Sequence, residues 1–122
     1  MANSSFSKAS RLLNAADFKT VFTKAQFKVS CRYFLILAIK NDSLKPRLGL
    51  VIAKKNVPTA VHRNRIKRLI RESFRLKPGL VERLDLVVLA RKDADKLHNS
   101  LICEKLEKLL NDISNKLRSG DH

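Results

Sequence analysis

Apolar residues recur along this chain with two different periods, and the switches between them mark its elements. From Arg11 to Phe22, the residues Leu12, Ala15, Ala16, Phe18 and Phe22 fall on one helical stripe. Asn14 offers a cap with Asp17 three positions on, so a start near residue 15 competes with one at Arg11. Cys31 to Ile39 alternates instead, as a strand does. Arg32, Phe34, Ile36 and Ala38 share one face, and Tyr33, Leu35, Leu37 and Ile39 share the other. Asn41-Asp42-Ser43 turns the chain, Lys45-Pro46 ends the connection, and Arg47 to Ala53 reads as a second strand. So short a link rules out a parallel crossover and predicts antiparallel neighbours.

Helical spacing returns from Ala60 to Leu76 and is stopped by Pro78-Gly79. Leu84 to Ala90 is a third strand, so strand, helix and strand follow one another as in a βαβ unit. A last helix runs from Asn99 to Leu117 on the stripe Ile102, Leu106, Leu109, Ile113 and Leu117, with Asn99 or Ser100 as its cap. Lys24 to Val29 carries only a weak strand pattern. The order α-β-β-α-β-α predicts an α/β fold (an α+β sandwich) with a small mixed central sheet packed with helices. Residues 1–10, small and polar, predict a flexible N-terminal arm; 11–118 form a single domain and 119–122 a C-terminal tail.

Charge changes this picture. The 122 residues carry a formal net charge of +15, while 44% are hydrophobic, so the chain folds yet repels itself. An anionic partner answers that repulsion. Nucleic acid leads and an anionic membrane surface comes second. No apolar run nears the roughly 20 residues of a membrane span, and the N-terminus lacks the pattern of a signal peptide. Cys31 and Cys103 form no metal-like cluster with the three histidines and read as reduced thiols of a cytosolic protein.

The charge concentrates in Arg63-Asn64-Arg65-Ile66-Lys67-Arg68-Leu69-Ile70-Arg71-Glu72-Ser73-Phe74-Arg75, with six basic side chains in thirteen residues. At about 100° per residue, Leu69, Ile66, Ile70 and Phe74 form one stripe. Asn64, Arg68, Arg71 and Arg75 lie on the other side, flanked by Lys67 and Arg65. A merely solvated helix mixes signs, whereas here Arg71 follows Lys67 and Arg75 follows Arg71 at four-residue spacing. The cost of such like-charge pairs is explained by a polyanion, because the planar guanidinium meets phosphate in bidentate fashion. Lys54, Lys55, His62 and Arg63 extend the patch toward the helix N-terminus. His62 reads as a surface or capping residue.

The segment Arg63 to Arg71 closely resembles the "RNR" signature of the protein component of bacterial ribonuclease P. Leu48-Gly49-Leu50-Val51-Ile52-Ala53-Lys54-Lys55 resembles that family's strand and basic turn before the helix. Arg11-Leu12, Asp17-Phe18 and Val21-Phe22 resemble its first helix, and Asp85-Leu86-Val87-Val88-Leu89-Ala90-Arg91 its last strand. The resemblance implies a subunit of a ribonucleoprotein whose catalytic RNA cleaves precursor tRNA to give the mature 5′ end. It implies that Arg63, Asn64, Arg65, Lys67, Arg68 and Arg71, with Arg75 on the same face, meet the catalytic RNA. It implies that the single-stranded 5′ leader runs in a cleft between the sheet and the first helix. Phe18, Phe22 and Phe34 would be the cleft aromatics, with Arg32 and Ile36 beside Phe34 and Lys54, Ala90 and Arg91 along the same path. Aromatics beside Arg and Lys suit single strands, although each of these Phe residues is equally an ordinary core residue. The family also implies a left-handed β-α-β crossover, where pattern alone predicts the common right hand.

The chain offers no catalytic residues and no metal site of its own. Asp85 with Asp93 or Asp95 could be imagined as paired carboxylates, but Asp85 reads as structural and the others as turn residues. Mg2+ would be bound mainly by the partner RNA. The resemblance implies catalytic RNA and precursor tRNA as partners, a 1:1 complex, a free monomer, no membrane and a cytoplasmic location. Two alternatives stay open. A general RNA-binding or ribosome-associated protein would not improve leader-dependent cleavage. A DNA-binding regulator would prefer a duplex sequence, and no helix-turn-helix partner precedes the basic helix.

Overall fold

The most apolar strand takes the centre of the sheet, and that choice sets the topology. In the computed structural model, which describes residues 15–41, 47–76 and 84–119, the elements are α1 (Ala15–Lys24), β1 (Phe27–Ser30), β2 (Phe34–Lys40), β3 (Arg47–Val51), α2 (Ala60–Leu76), β4 (Leu84–Ala90), a 3-10 turn (Ala94–Lys96) and α3 (Asn99–Ser119). The sheet order is β1-β2-β4-β3. β4 pairs antiparallel with β2 and parallel with β3. Its sequence LDLVVLA is the nearly continuous apolar run of a strand covered on both faces.

β2 and β3 are therefore not the neighbours that their short link predicts, although they do run in opposite directions. β4 separates them, because burying its two faces outweighs the local convenience of a hairpin. The weak pattern at Lys24 to Val29 becomes a real edge strand, β1, whose residues alternate buried and exposed. β2 starts later than its composition suggests, so Arg32 and Tyr33 belong to the turn before it. α2 has the bounds its periodicity predicts. The arm expected at residues 1–10, the cap expected at Asn14, the turn expected at Asp42-Ser43, the stop expected at Pro78-Gly79 and the tail expected at 119–122, apart from Ser119, lie outside the described residues.

Strand alternation splits the core into two layers. Phe34, Ile36 and Ala38 of β2 and Leu84, Leu86, Val88 and Ala90 of β4 pack with Ile66, Ile70 and Phe74 of α2 and Ile102, Leu106 and Ile113 of α3. Each large side chain buried here contributes roughly 1.5–3 kcal/mol. On the opposite face, Leu37 and Val87 pack under Val21 of α1. α2 and α3 thus cover one face of the sheet and α1 the other.

α1 crosses the strands rather than following them. Near its start, Asp17 Oδ2 meets Arg47 Nη1 of edge strand β3 at 3.3 Å. Just past its end, Gln26 N donates to Ala38 O and Gln26 Oε1 accepts from Lys40 N, both at 2.9 Å. The helix therefore spans from β3 to β2 at one end of the sheet.

Candidate nucleic-acid interface

The apolar stripe of α2 fixes which side of the helix faces outward. Ile66, Ile70 and Phe74 are fully buried, and Asn64, Arg68, Arg71 and Arg75 are all exposed, as their helical angles predict. Lys67 is half-buried at the flank. Arg75 Nη2 makes an exposed contact with Glu72 Oε2 at 3.4 Å. Among the described residues, Asn64, Lys67, Arg68 and Arg71 donate no hydrogen bond from their side chains, so their groups are free to meet an anion.

Arg63 and Arg65 are arranged differently. Arg63 Nη1 donates to Val57 O at 3.0 Å and to Pro58 O at 2.8 Å, which fastens the loop before α2. Arg65 reaches across to the segment joining β4 and α3. Its Nη1 donates to Leu97 O at 3.2 Å and Asn99 Oδ1 at 2.6 Å, and its Nη2 to Asp95 O at 3.0 Å. The Asn99 side chain, expected to cap α3, thus receives Arg65. A guanidinium has five N–H donors, so Arg65 keeps some for an outside acceptor while clamping the connector. His62, expected at the surface or as a cap, is half-buried, and its Nδ1 is shielded from solvent without a hydrogen-bond partner among the described residues.

A second surface lies on the opposite face of the sheet. α1 covers the rows of Ile39 and Leu37 but leaves the next row open. Strand register puts Ser30, Leu35, Leu89 and, on β3, Val51 side by side in that row. Leu35, Leu89 and Val51 are half-buried and form an apolar floor. Phe18 packs onto this layer and stacks with Phe22 at a ring separation of 6.5 Å and an interplanar angle of 23°. Phe22 is 45% exposed, so its ring is open to solvent beside that of Phe18. Together they make a wall beside the floor.

Cations rim the far side of this shelf. Arg91 N donates to Tyr33 O at 2.8 Å and Arg91 Nη1 to Cys31 O at 3.3 Å, which holds Arg91 against the turn carrying Arg32. Asn56 Nδ2 donates to Ala90 O at 3.1 Å and brings the Lys54-Lys55 turn to the same edge. Arg32, Lys54 and Arg91 are all exposed. The Arg32 guanidinium lies over the Tyr33 ring, 5.5 Å from its centre, and that ring packs against the α2–α3 layer with Lys105 Nζ of α3 5.8 Å from its centre, so Arg32 stands at the end of the sheet.

Three expected cleft residues lie elsewhere. Phe34 and Ile36 are 0% exposed and Ala90 is 3% exposed, all in the layer beneath α2 and α3. Their alternation points them away from α1, so they do not line the shelf. Leu35, Leu89 and Val51 take that place. Their signal was present in the sequence, since Leu35 and Leu89 have the opposite parity to Phe34 and Ala90. Asp85 is structural: buried at 6% exposure, it accepts from Arg47 Nε and Nη2 and from Asn41 Nδ2. That contact raises the Arg47 pKa above its ordinary value, chiefly through the hydrogen bond to Asp85. Asp93 has a left-handed backbone (φ 71°) in the turn after β4, as short polar residues tolerate. Cys31 and Cys103 are free and half-buried.

The family model described as Ribonuclease P matches residues 6–114. The ribonuclease P protein component of Chromohalobacter salexigens is 45% identical over 106 residues, covering 87% of this chain and 83% of that protein. Its counterpart in Marinobacter nauticus is 44% identical over 115 residues, 94% of this chain and 86% of that one. The solved structure of the Staphylococcus aureus RNase P protein superposes with a TM-score of 0.79 at 32% identity, covering 85% of this chain and 94% of that one.

Proposed function

Because this chain belongs to the ribonuclease P protein family, we propose that its two surfaces serve two RNAs. The chain is the protein component of a ribonucleoprotein endoribonuclease. The exposed face of α2, with Asn64, Arg68, Arg71, Arg75 and flanking Lys67, binds the phosphates of the catalytic RNA. Arg63 and Arg65 shape that face from within. The shelf beside α1 takes the single-stranded 5′ leader of precursor tRNA: bases stack on Phe18 and Phe22 over Leu35, Leu89 and Val51, and phosphates meet Arg32, Lys54 and Arg91. The observation that supports this most is the separation of a cationic helix from an aromatic shelf on opposite faces of one sheet.

The chemistry belongs to the RNA in this reading. Asp85 is taken by Arg47 and Asn41. Among the described residues, no group of three or more His, Cys, Asp or Glu side chains stands close enough to hold a metal ion. Mg2+ held by the RNA would activate water for phosphodiester hydrolysis. The protein offsets repulsion between the two RNAs and adds affinity for the leader. It acts as one copy per catalytic RNA in the cytoplasm, and none of its described helices is long and apolar enough to cross a membrane.

Reconstitution with the catalytic RNA tests this reading. At low magnesium the protein is expected to raise cleavage of precursor tRNA above that of the RNA alone, more for a long leader than for a short one. Equal cleavage with and without protein, for both leaders, would overturn it.

A further inference from the structure

The wall of the shelf is held in place at the β3 end by an ion pair, and this pair has no part in the contacts assigned above. Arg47 sits on edge strand β3 and grips buried Asp85 of β4 through two bonds, Nε to Oδ1 at 2.8 Å and Nη2 to Oδ2 at 2.6 Å. Its remaining terminal nitrogen, Nη1, reaches out of the sheet to Asp17 Oδ2 at 3.3 Å. The guanidinium is thus held from below by a buried carboxylate that also accepts from Asn41 Nδ2, and it offers its outer edge to α1. Asp17 lies one residue before Phe18 and five before Phe22, so its position along β3 sets where both rings stand over the floor.

The rest of α1 is lightly held. Val21 is its fully buried residue among those described. The Gln26 contacts fix the far end, over β2. Without the Asp17–Arg47 contact, α1 keeps the Gln26 hinge at one end and, among the described residues, chiefly apolar packing toward the other. Its β3 end can then swing, and the gap between the aromatic wall and the row Leu35, Leu89 and Val51 changes.

We propose that the Asp17–Arg47 pair is a positioning device that sets the width of the leader-binding shelf. It touches no substrate. It acts on leader affinity through the placement of Phe18 and Phe22, and this inference rests on the leader-binding reading above. Asp17 and Arg47 are partly buried, with side chains 24% and 34% exposed, so the experiment must separate a role in positioning from one in stability. Asp17→Asn leaves Asp85 paired with Arg47, so the variant retains the buried part of the network.

The experiment uses the holoenzyme, reconstituted with catalytic RNA and either the natural protein, Asp17→Asn or Asp17→Glu. Affinity is measured for a precursor tRNA with a long leader and for one with a single-nucleotide leader. Asp17→Asn is expected to weaken long-leader binding by about three- to tenfold, the effect of loosening one contact of hydrogen-bond strength. Affinity for the single-nucleotide substrate, affinity for the catalytic RNA and the cleavage rate at saturation stay unchanged. Asp17→Glu, which keeps the charge, restores most of the loss. Full long-leader affinity in Asp17→Asn overturns the positioning role and leaves the leader reading intact. An equal loss with both substrates also overturns it, since the defect is then general. If the natural protein gains nothing from a long leader, the leader reading fails and this inference fails with it.

Discussion

Replacing Arg68 and Arg71 together by alanine is expected to weaken binding to the catalytic RNA by about 10- to 100-fold at moderate salt. Both side chains are exposed on the outer face of α2, and neither donates a hydrogen bond among the described residues. Each charge-assisted contact to phosphate is worth somewhat more than a neutral hydrogen bond, and about 1.4 kcal/mol is a factor of ten. The salt dependence should fall as well. Each phosphate contact contributes roughly 0.7–0.9 to the slope of log affinity against log salt, so losing two flattens it by about 1.5. Folding stability should change by no more than about 0.5 kcal/mol, because the change is at an exposed surface. Arg65→Ala should behave in the opposite sense. It removes donors from Asp95 O, Leu97 O and Asn99 Oδ1 and should cost about 1–3 kcal/mol of stability. Filter binding across a salt series and thermal unfolding of the free protein separate the two effects. An unchanged slope for the double variant would remove Arg68 and Arg71 from the RNA contact.

Phe34→Ala is expected to cost about 3–5 kcal/mol of folding stability, lowering the melting temperature by roughly 10–20 °C. Phe34 is 0% exposed between β2 and the helices above it, so truncation leaves a cavity that α2 and α3 cannot close without repacking. Phe22→Ala should cost about 1 kcal/mol or less, because nearly half of that side chain is already in water. Its effect should fall on the leader instead. Base stacking on an aromatic is worth about 1–3 kcal/mol by alanine substitution, so the long-leader substrate should bind more weakly by about five- to a hundredfold. Melting curves of the free variants and substrate titrations of the holoenzymes check both halves. A stable Phe34→Ala protein with weakened leader binding would return Phe34 to the shelf and contradict the core described above.

These contrasts also mark what the sequence could tell. The faces of α2 were legible, because a helix of that length repeats its period several times and opposes an apolar stripe to a cationic one. The central position of β4 was legible in principle from its unbroken apolar run, but the short β2–β3 link argued for a hairpin. Phe34 was ambiguous for a physical reason. Alternation gives a residue a face of the strand, but both faces of β2 are covered, one by α1 and the other by α2 and α3. Nothing local tells which helix covers which face. Arg65 and Arg47 were hidden more deeply. Their partners lie 30 or more residues away in sequence, in a turn and on other elements. A basic residue in a basic run looks like an RNA contact until the fold brings carbonyls or carboxylates to it.

The central claim is that the two RNAs meet opposite faces of the sheet, and site-resolved cross-linking tests it most directly. A precursor tRNA with a photoreactive nucleotide in its 5′ leader would be bound to the reconstituted holoenzyme, irradiated and mapped by peptide sequencing. Cross-links are predicted at Phe18, Phe22, Leu35, Leu89 or Arg91, and not on the face of Asn64, Arg68 and Arg71. Leader cross-links concentrated on that outer face of α2, with none beside α1, would contradict the account.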